Sequence, residues 1–364
     1  MKINLQEIDQ NQFMVHSHIV NGEELFLVQP QHICCQWDQQ NKIFRSSLWN
    51  SNGDLVSAGF PKFVNLGEKP DVFPVPTSLK NTVIVDKLDG SLLIVSKYRG
   101  NYILRTRGTV DATQMNNGHE LELFKQKYLP NLDSPSVPDW GVSYLFEWTS
   151  PENRIVLNYG DEPDWVLVGV VYHSDYTLMP QGPLDDFAKR FGFKRPNSYT
   201  FSTVEELVAN VDQWKGKEGV CLYSNNGQTI HKIKSDWYRC LHAAKENFRS
   251  IDAVIDAWIA FGMPDYAGFV EQFTKTYDYE TLMICQGFIS QICDAYKEVQ
   301  KIVSGFNTFI AVSLKGLPSR KEQAMKVISS YGNSNRASFL FKLLDGKSLE
   351  TDDIKKLLYQ CLKK

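Results

Sequence analysis

The hydrophobic pattern of this chain changes near residue 245, and this change constrains the fold more than any other feature. Before it, short β-branched and aromatic runs alternate with turn sequences such as residues 51–54, a pattern typical of antiparallel strands. Beyond it, apolar residues recur at helical spacing, as at Val254, Ile255 and Trp258. A chain of 364 residues is also long for one core. We therefore expect an α+β domain over residues 1–243 and an all-α domain over residues 244–364.

The composition argues against several classes of protein. Hydrophobic residues make up 43% and charged residues 22%, and no apolar run approaches the roughly 18 to 20 residues that span a bilayer, so no membrane partner is expected. The N-terminus lacks the apolar core of a signal peptide. Seven cysteines include no Cys-x-x-Cys pair, which argues against structural zinc and favours the reducing cytoplasm. Because the net charge is -3, any binding of nucleic acid must depend on local cations.

In the first domain, the pattern predicts three strands that form an antiparallel meander. These strands cover residues 82–85, 92–96 and 102–106, with turn signals at 89–90 and 99–101. Further predicted strands cover residues 142–147, 154–157, 166–172, 220–223 and 229–234.

The predicted helices rest on periodicity and on capping residues. Helices are expected at 184–191 and 204–213, the second after a capping box that begins at residue 202 or 203. Ser235 should cap a helix that begins at Asp236. In the tail, a helix is expected to end near Gly305, a capping box covers residues 319–322, and Thr351 should cap the last helix.

One lysine, Lys87, stands at the end of an apolar strand and is followed by Asp89 and Gly90. Lysine before an Asp-Gly turn is common in hairpins, so this segment alone indicates a surface turn. Two downstream carboxylates change the interpretation: Glu147 lies at the end of an apolar strand, where a charge needs a partner, and Glu218 precedes a glycine and a buried-looking strand.

Two further lysines complete the pattern. Lys232 and Lys234 are two residues apart on a predicted strand, so both side chains point to the same face. They would repel each other unless an anion lies close to both of them. A polyphosphate is such an anion.

Four segments in this order resemble motifs I, III, IV and V of the covalent nucleotidyltransferases, and within them the bacteriophage T4 RNA ligase 1 family. The segments are residues 87–91, 146–148, 218–220 and 231–234, and the resemblance covers roughly residues 40–245. Segments 62–66, 151–157 and 232–238 resemble that branch in particular. The resemblance implies an α+β nucleotidyltransferase fold of two antiparallel sheets flanked by helices, with ATP between the sheets. It also implies an ATP-dependent adenylyltransferase domain, followed by a helical domain that selects the RNA substrate.

The resemblance assigns catalytic roles to four of these residues. Lys87 would attack the α-phosphorus of ATP and carry a lysyl-AMP intermediate, while Lys232 and Lys234 would neutralise the α-phosphate in the transition state. The nearby cations would also lower the pKa of Lys87. Asp89 would either orient Lys87 or contact the metal through water, and the sequence does not distinguish these roles.

The resemblance also implies ligands for the rest of the nucleotide. Arg45 and Lys62 would bind the outer phosphates, Glu147 would accept hydrogen bonds from the ribose, and Glu218 would hold Mg²⁺ or Mn²⁺. Two departures stand out. Serine follows Arg45 where the family often has glycine, and Arg107 stands where T4-type ligases carry a lysine, which keeps the charge but changes its geometry.

The leading functional interpretation is an RNA ligase that seals 5′-phosphate and 3′-hydroxyl ends, with nicked tRNA as a candidate substrate. A cytoplasmic monomer is expected, in the host cytoplasm if the source is a bacteriophage. Two alternatives stay open: a related nucleotidyltransferase that acts on DNA ends or uses GTP, and an RNA-binding homologue that has lost catalysis.

Overall fold

The computed structural model describes residues 1–31, 35–137, 141–276, 279–332 and 334–362. The chain divides into two compact units, Met1–Cys240 and Leu241–Lys364. The strands described below all lie in the first unit, and the regular structure described in the second is helical. The expected α+β class, with antiparallel sheets and a helical C-terminal region, is therefore confirmed.

The strands in chain order are β1 (Phe13–Val20), β2 (Glu23–Pro30), β3 (Ser47–Asn50), β4 (Leu55–Ala58), β5 (Val64–Asn65), β6 (Val83–Lys87), β7 (Ser91–Tyr98), β8 (Asn101–Arg105), β9 (Val142–Thr149), β10 (Asp164–Tyr172), β11 (Ser198–Tyr199), β12 (Gly219–Ser224) and β13 (Thr229–Lys234). The helices are α1 (Leu121–Leu132), α2 (Gln181–Phe191), α3 (Val204–Asp212), α4 (Asp236–Asn247), α5 (Ile251–Ala260), α6 (Tyr266–Thr276), α7 (Tyr279–Phe309), α8 (Arg320–Tyr331), α9 (Asn335–Leu344) and α10 (Thr351–Leu362).

The strands of the first unit form three sheets rather than the two expected. The first sheet has the order β1-β2-β3-β4, the second β10-β9-β7-β8 and the third β11-β6-β12-β13-β5. Their pairings are antiparallel except that of β13 with β5, which is parallel. The additional sheet is the N-terminal one, whose β3–β4 turn at residues 51–54 was predicted.

The predicted meander over residues 82–106 is wrong in its first strand. β7 and β8 form the expected hairpin, with Tyr98 opposite Asn101. β6 instead pairs with β12 in the third sheet, where Lys87 lies opposite Gly219. The Asp89-Gly90 segment is therefore a crossing between two sheets and not a hairpin turn. The interpretation of Lys87 as a hairpin lysine is excluded by this topology.

Two other local predictions differ from the structure. Residues 154–157 were expected to form a strand but form a loop, because the backbone N–H groups of Val156 and Leu157 donate to Asp89 rather than to a neighbouring strand. Helix α1 was not predicted. It contains Pro130, which weakens its helical pattern, and its buried Phe124 and Tyr128 belong to the same core cluster as the second sheet.

The other predicted helices of the first unit are confirmed. α2 begins three residues earlier than the predicted 184–191 segment, at Gln181. Thr203 caps α3, since its side chain accepts from the backbone N–H of Glu206. The hydroxyl of Ser235 accepts from the backbone N–H of Tyr238, as expected of a residue that caps α4.

In the second unit, buried apolar residues of α5 to α10 form one cluster, which includes Trp258, Phe273 and Leu357. α7 runs to Phe309, beyond the end expected near Gly305, and continues into a π-helical turn. Ser319 caps α8 as predicted, whereas Thr351 is the first residue of α10. Among the residues described, none of the helices has the length and apolar character needed to cross a bilayer.

Candidate active site

A cavity of about 380 Å³ opens where the second and third sheets come together. Lys87 and Glu147 line it, together with Arg45 and Arg107. Apolar side chains, including Phe60, Val85, Val168 and Tyr223, form much of the remaining wall. A cavity with an apolar wall and a few convergent charges suits a ligand that has both a flat ring and an anionic group.

Lys87 and Lys234 share one buried carboxylate. The Nζ of Lys87 lies 2.9 Å from Glu218, and the Nζ of Lys234 lies 3.0 Å from it. The strand register explains this, because Gly219 of β12 lies opposite Lys87 of β6 and opposite Lys234 of β13. Gly219 has φ +149, and an added Cβ would lie 1.9 Å from the carbonyl oxygen of Ile233, so the position requires glycine.

The electrostatic state of Lys87 differs from the expectation. Burial lowers its pKa, but Glu218 and then Cys221 and Glu147 outweigh burial and hold the pKa of Lys87 above its ordinary value. The pKa of Lys87 is therefore not depressed by the neighbouring cations, contrary to what the sequence had led us to expect. Lys87 is a protonated partner of Glu218 here, and it must lose a proton before it can act as a nucleophile.

Glu147 is the second carboxylate of the site. Burial raises the pKa of Glu147 to about 7, with Lys87 opposing this shift and Glu218 adding to it. Its Oε1 accepts a hydrogen bond of 3.0 Å from the backbone N–H of Gly90. A Cβ at Gly90 would lie 2.5 Å from the carbonyl oxygen of Trp148, so glycine permits the segment between β6 and β7 to approach β9 closely.

Asp89 anchors two segments of the chain. Its Oδ2 accepts from the backbone N–H groups of Val156 and Leu157, at 2.7 and 2.8 Å, and its Oδ1 accepts from the hydroxyl of Tyr238 at 2.6 Å. Its own N–H donates to the hydroxyl of Tyr159 at 2.9 Å. These contacts favour an orienting role over a metal contact.

A cluster of cations surrounds the ring of Phe63. The guanidinium of Arg45 lies 4.6 Å from the ring centroid and the Nζ of Lys232 lies 5.6 Å from it. Burial, and then the charges of Arg45 and Lys234, lower the pKa of Lys232 to about 8. Burial and the charge of Arg107 lower the pKa of Arg45 to about 10. Burial is the largest cause of both shifts and repulsion from a neighbouring cation adds to each, so an anion bound beside these groups would stabilise both charges.

Lys62 and Arg107 lie at the margin of this cluster. Burial and the charge of Arg45 lower the pKa of Lys62, whose Nζ lies 5.4 Å from the centroid of the Trp37 ring. Arg107 is exposed and lines the cavity.

The structure brings most of the predicted residues together in two groups. Lys87, Glu218 and Lys234 are in direct contact. Lys232 and Arg45 both contact the ring of Phe63.

The carboxylates of Glu218 and Glu147 are the groups to consider as ligands of a divalent metal ion. In the described ranges, no three His, Cys, Asp or Glu side chains converge as a metal-binding group. Glu218 and Glu147 nevertheless lie close enough for the charge of Glu218 to raise the pKa of Glu147. Glu218 is the carboxylate that could bind Mg²⁺ or Mn²⁺, with the remaining ligands supplied by phosphate and water.

From the sequence, no role in the site was assigned to Phe63, and packing was favoured over ligand contact for Tyr159 and Tyr238. Phe63, Tyr159 and Tyr238 are ordinary aromatic residues in a local pattern, and their partners are distant in the chain, at 149 residues for Tyr238 and Asp89. Only the segments at 62–66 and 232–238 carried a signal, through the family resemblance.

Comparison with known proteins gives the following matches. The RNA ligase family profile matches residues 43–239. A protein of Autographa californica nuclear polyhedrosis virus, named as a bifunctional polynucleotide kinase/RNA ligase, is 28% identical over 216 residues, which cover 52% of this chain and 29% of that protein. A Thermovibrio ammonificans protein named as an RNA ligase is 28% identical over 200 residues, which cover 54% of this chain and 51% of that protein. The chain thus spans about half of one relative and under a third of the other.

Solved structures of a Naegleria gruberi RNA ligase are also similar, at a distance. One point mutant of that ligase, solved in its apo form, has a TM-score of 0.40 and 14% identity, and the match covers 67% of this chain and 83% of that one. Another point mutant, solved with ATP and Mn, has a TM-score of 0.37 and 12% identity, with 63% and 79% covered. A likeness of this degree carries no argument about the site.

Proposed function

The chain belongs to the T4-type RNA ligase family, and from that premise we propose that it joins RNA ends in an ATP-dependent reaction through an AMP adduct on Lys87. In this proposal, residues 1–243 form an adenylyltransferase domain of the nucleotidyltransferase fold, and residues 244–364 contribute to RNA selection. The apolar wall of the cavity would hold adenine, and the ionised form of Glu147 would accept from the ribose hydroxyls.

One observation carries the proposal: the amine of Lys87 lies 2.9 Å from the buried carboxylate of Glu218, at the edge of a cluster of cations. In the first step, the nitrogen of Lys87 would form a bond to the α-phosphorus while the bond from that phosphorus to pyrophosphate breaks. Lys232 and Lys234 would balance the charge that develops on the α-phosphate, and Arg45, Lys62 and Arg107 that on the outer phosphates.

Proton transfer follows from the raised pKa of Lys87. The amine must be neutral to attack, so its ion pair with Glu218 must break and its proton must be lost before the bond to phosphorus forms. When bound, Mg²⁺ or Mn²⁺ supplies positive charge to the phosphates, and Glu218 is the residue that would hold it. Asp89 would keep the segment after Lys87 in place.

Two later reactions would reuse the site. AMP would pass from Lys87 to the 5′-phosphate of an RNA end, and a 3′-hydroxyl would then attack that phosphate and release AMP. We extend the proposal to repair of nicked tRNA, to a monomer and to a bacteriophage source. We also propose the cytoplasm as the compartment, since Cys35 and Cys221 are free thiols.

The test is intact mass spectrometry after incubation with Mg²⁺ and ATP. The protein is first treated with pyrophosphate, which removes any AMP already attached. We expect the wild-type protein to gain the mass of one AMP and Lys87→Ala to gain none. Lys97→Ala is the matched control, because Lys97 is a surface lysine paired with Asp133, and it should gain AMP as the wild type does. A wild-type protein that never acquires AMP would refute the proposal.

Two comparisons address the alternatives. GTP in place of ATP tests nucleotide choice, and a 5′-phosphorylated single-stranded DNA in place of the matching RNA tests the substrate. Faster reaction with GTP or DNA would favour a related nucleotidyltransferase. RNA binding without AMP transfer would favour the inactive homologue.

A further inference from the structure

One arginine of the first unit is buried completely and bonded to neutral oxygens. Arg105, at the end of β8, has 0% exposure. Its Nε donates to Ser57 Oγ at 2.7 Å, and its Nη1 to Ser46 Oγ at 2.7 Å and to the carbonyl of Thr106 at 3.2 Å. Its Nη2 donates to the carbonyls of Ser46 and Ser57, at 3.1 and 3.0 Å. Burial of a charge is costly, so this arrangement calls for a physical reason.

The reason we identify is Ser46, which connects Arg105 to both arginines of the cavity. Ser46 directly follows Arg45. Its hydroxyl accepts from Arg105 and donates to the carbonyl of Arg107 at 2.9 Å, so the donor and acceptor functions of that hydroxyl are both used. The carbonyl of Ser46 also accepts from the N–H of Gly59 at 2.8 Å. One serine thereby fixes two backbone segments that carry cavity cations.

We infer that Arg105 and Ser46 form a positioning unit that holds Arg45 and Arg107 for the outer phosphates of a nucleoside triphosphate. The inference rests on the proposed function. Arg105 itself does not line the cavity, whereas Arg45 and Arg107 do. Its five donors form a rigid fork, so it crosslinks β8, β4 and the segment before β3. A glycine or alanine at position 46 would leave the backbone of Arg107 and one donor of Arg105 without this link.

A second serine of the same polar network provides the matched control. From Ser57 a chain of hydroxyls runs through Ser96 to Ser143 and then to Nε2 of His173, with steps of 2.7, 2.7 and 2.8 Å. Ser143 is as buried as Ser46 and accepts from the backbone N–H of Ala58 at 2.8 Å. Its hydroxyl bonds neither to Arg105 nor to the backbone of Arg107, whereas that of Ser46 bonds to both. A purely structural role for the network predicts the same effect from both serines.

The test compares binding of α,β-methylene-ATP and of AMP by isothermal titration calorimetry. The analogue does not transfer AMP, so the measurement is independent of catalysis and stays informative if the proposed ligase activity fails. In Ser46→Ala, we expect the Kd of the triphosphate analogue to rise about ten-fold, and that of AMP by less than about two-fold. Ser143→Ala should lower the melting temperature by a similar amount and leave both Kd values near those of the wild type.

The energetic coupling between Ser46 and Arg107 in nucleotide binding is measured with a variant that carries both substitutions. Arg107→Ala alone should weaken binding of the analogue about ten-fold, and Ser46→Ala with Arg107→Ala should weaken it by much less than the product of the two effects. Four results overturn the inference: wild-type affinity in Ser46→Ala, an equal loss for both ligands, an equal loss in Ser143→Ala, or full multiplication in the double variant. If Ser46→Ala does not fold, Ser46→Gly, which also lacks the hydroxyl, is judged by the same criteria.

Discussion

Glu218→Gln should make Lys87 a more reactive amine and yet a worse nucleophile towards ATP. The substitution removes the negative charge that lies 2.9 Å from the Nζ of Lys87 and keeps the size of the side chain. Glu218 is the largest of the influences that raise the pKa of Lys87, and burial acts in the opposite direction. Without this carboxylate, the pKa of Lys87 should fall, and more of the amine should be neutral near pH 8.

The size of the expected fall in the pKa of Lys87 can be estimated from its ion pair with Glu218. Two unit charges 2.9 Å apart interact by about 6 kcal/mol at an effective dielectric constant of about 20. The side chain of Lys87 is 21% exposed, and Lys234 shares the carboxylate at 3.0 Å. We therefore assign only about a quarter of that energy to the change, which is about 1.4 kcal/mol or about ten-fold in the neutral fraction of Lys87.

The assay is brief acetylation with acetic anhydride near pH 8, followed by quantification of each lysine by peptide mass spectrometry. Only the neutral amine reacts, so the rate reports the pKa. Lys87 should react about ten-fold faster in Glu218→Gln, while AMP transfer from ATP falls, because the residue proposed to hold the metal is gone. The control is Asp133→Asn, which removes the partner of the half-exposed Lys97 and should change its labelling less than about three-fold.

Unchanged or slower labelling of Lys87 in Glu218→Gln would refute the electrostatic reasoning. Wild-type AMP transfer in the same variant would refute the role proposed for Glu218 in metal binding. The two results are independent, since labelling needs neither nucleotide nor metal.

Three further outcomes are expected. Gly90→Ala should lower the rate of AMP transfer at least about 100-fold in single-turnover assays. The new Cβ would lie 2.5 Å from the carbonyl oxygen of Trp148, so the backbone beside Lys87 must move and displace the reacting groups. A near-normal rate in this variant would contradict the prediction. Affinity for ATP should rise from about pH 6 to about pH 7, because Glu147, with a pKa of about 7, becomes ionised and accepts the ribose hydroxyls better, while Lys232, with a pKa of about 8, is still mostly charged. Calorimetry on Glu147→Gln should show a flatter profile. Tyr238→Phe should lower the unfolding free energy of the first unit by about 2 kcal/mol in urea titrations, because the 2.6 Å hydrogen bond to buried Asp89 is lost. An unchanged urea midpoint of unfolding would argue against the anchoring role of Asp89.

The helix caps and the hairpin could be predicted from the sequence because they depend on residues that are close together in the chain. The capping boxes before α3 and α8, the cap at Ser235 and the β7–β8 hairpin all involve residues a few positions apart. The candidate site residues were proposed from the sequence for a related reason. Lys87, Glu147, Glu218, Lys232 and Lys234 lie in short segments whose order matches a family pattern.

Helix α1 is an element that the local sequence pattern did not predict. Pro130 and a weak periodicity hide a helix that exists because Phe124 and Tyr128 find a core among the strands of the second sheet. The loop at residues 154–157 shows the opposite case, since an apolar run became a loop when its backbone donors found the carboxylate of Asp89. In both cases tertiary contacts overrode local preference.

What the sequence determined by itself is the change of class near residue 245, the capped helices and the set of chemical groups proposed for the site. The tertiary structure decided how those groups act. It put β6 and β7 in different sheets, so Lys87 lies at a crossing between sheets and not in a hairpin. It also brought Lys87 to Glu218 across 131 residues, and so raised the pKa that the neighbouring cations were expected to lower. The physical reason is that periodicity reports which face of an element is buried, whereas a pKa depends on charges that only folding brings within a few ångströms.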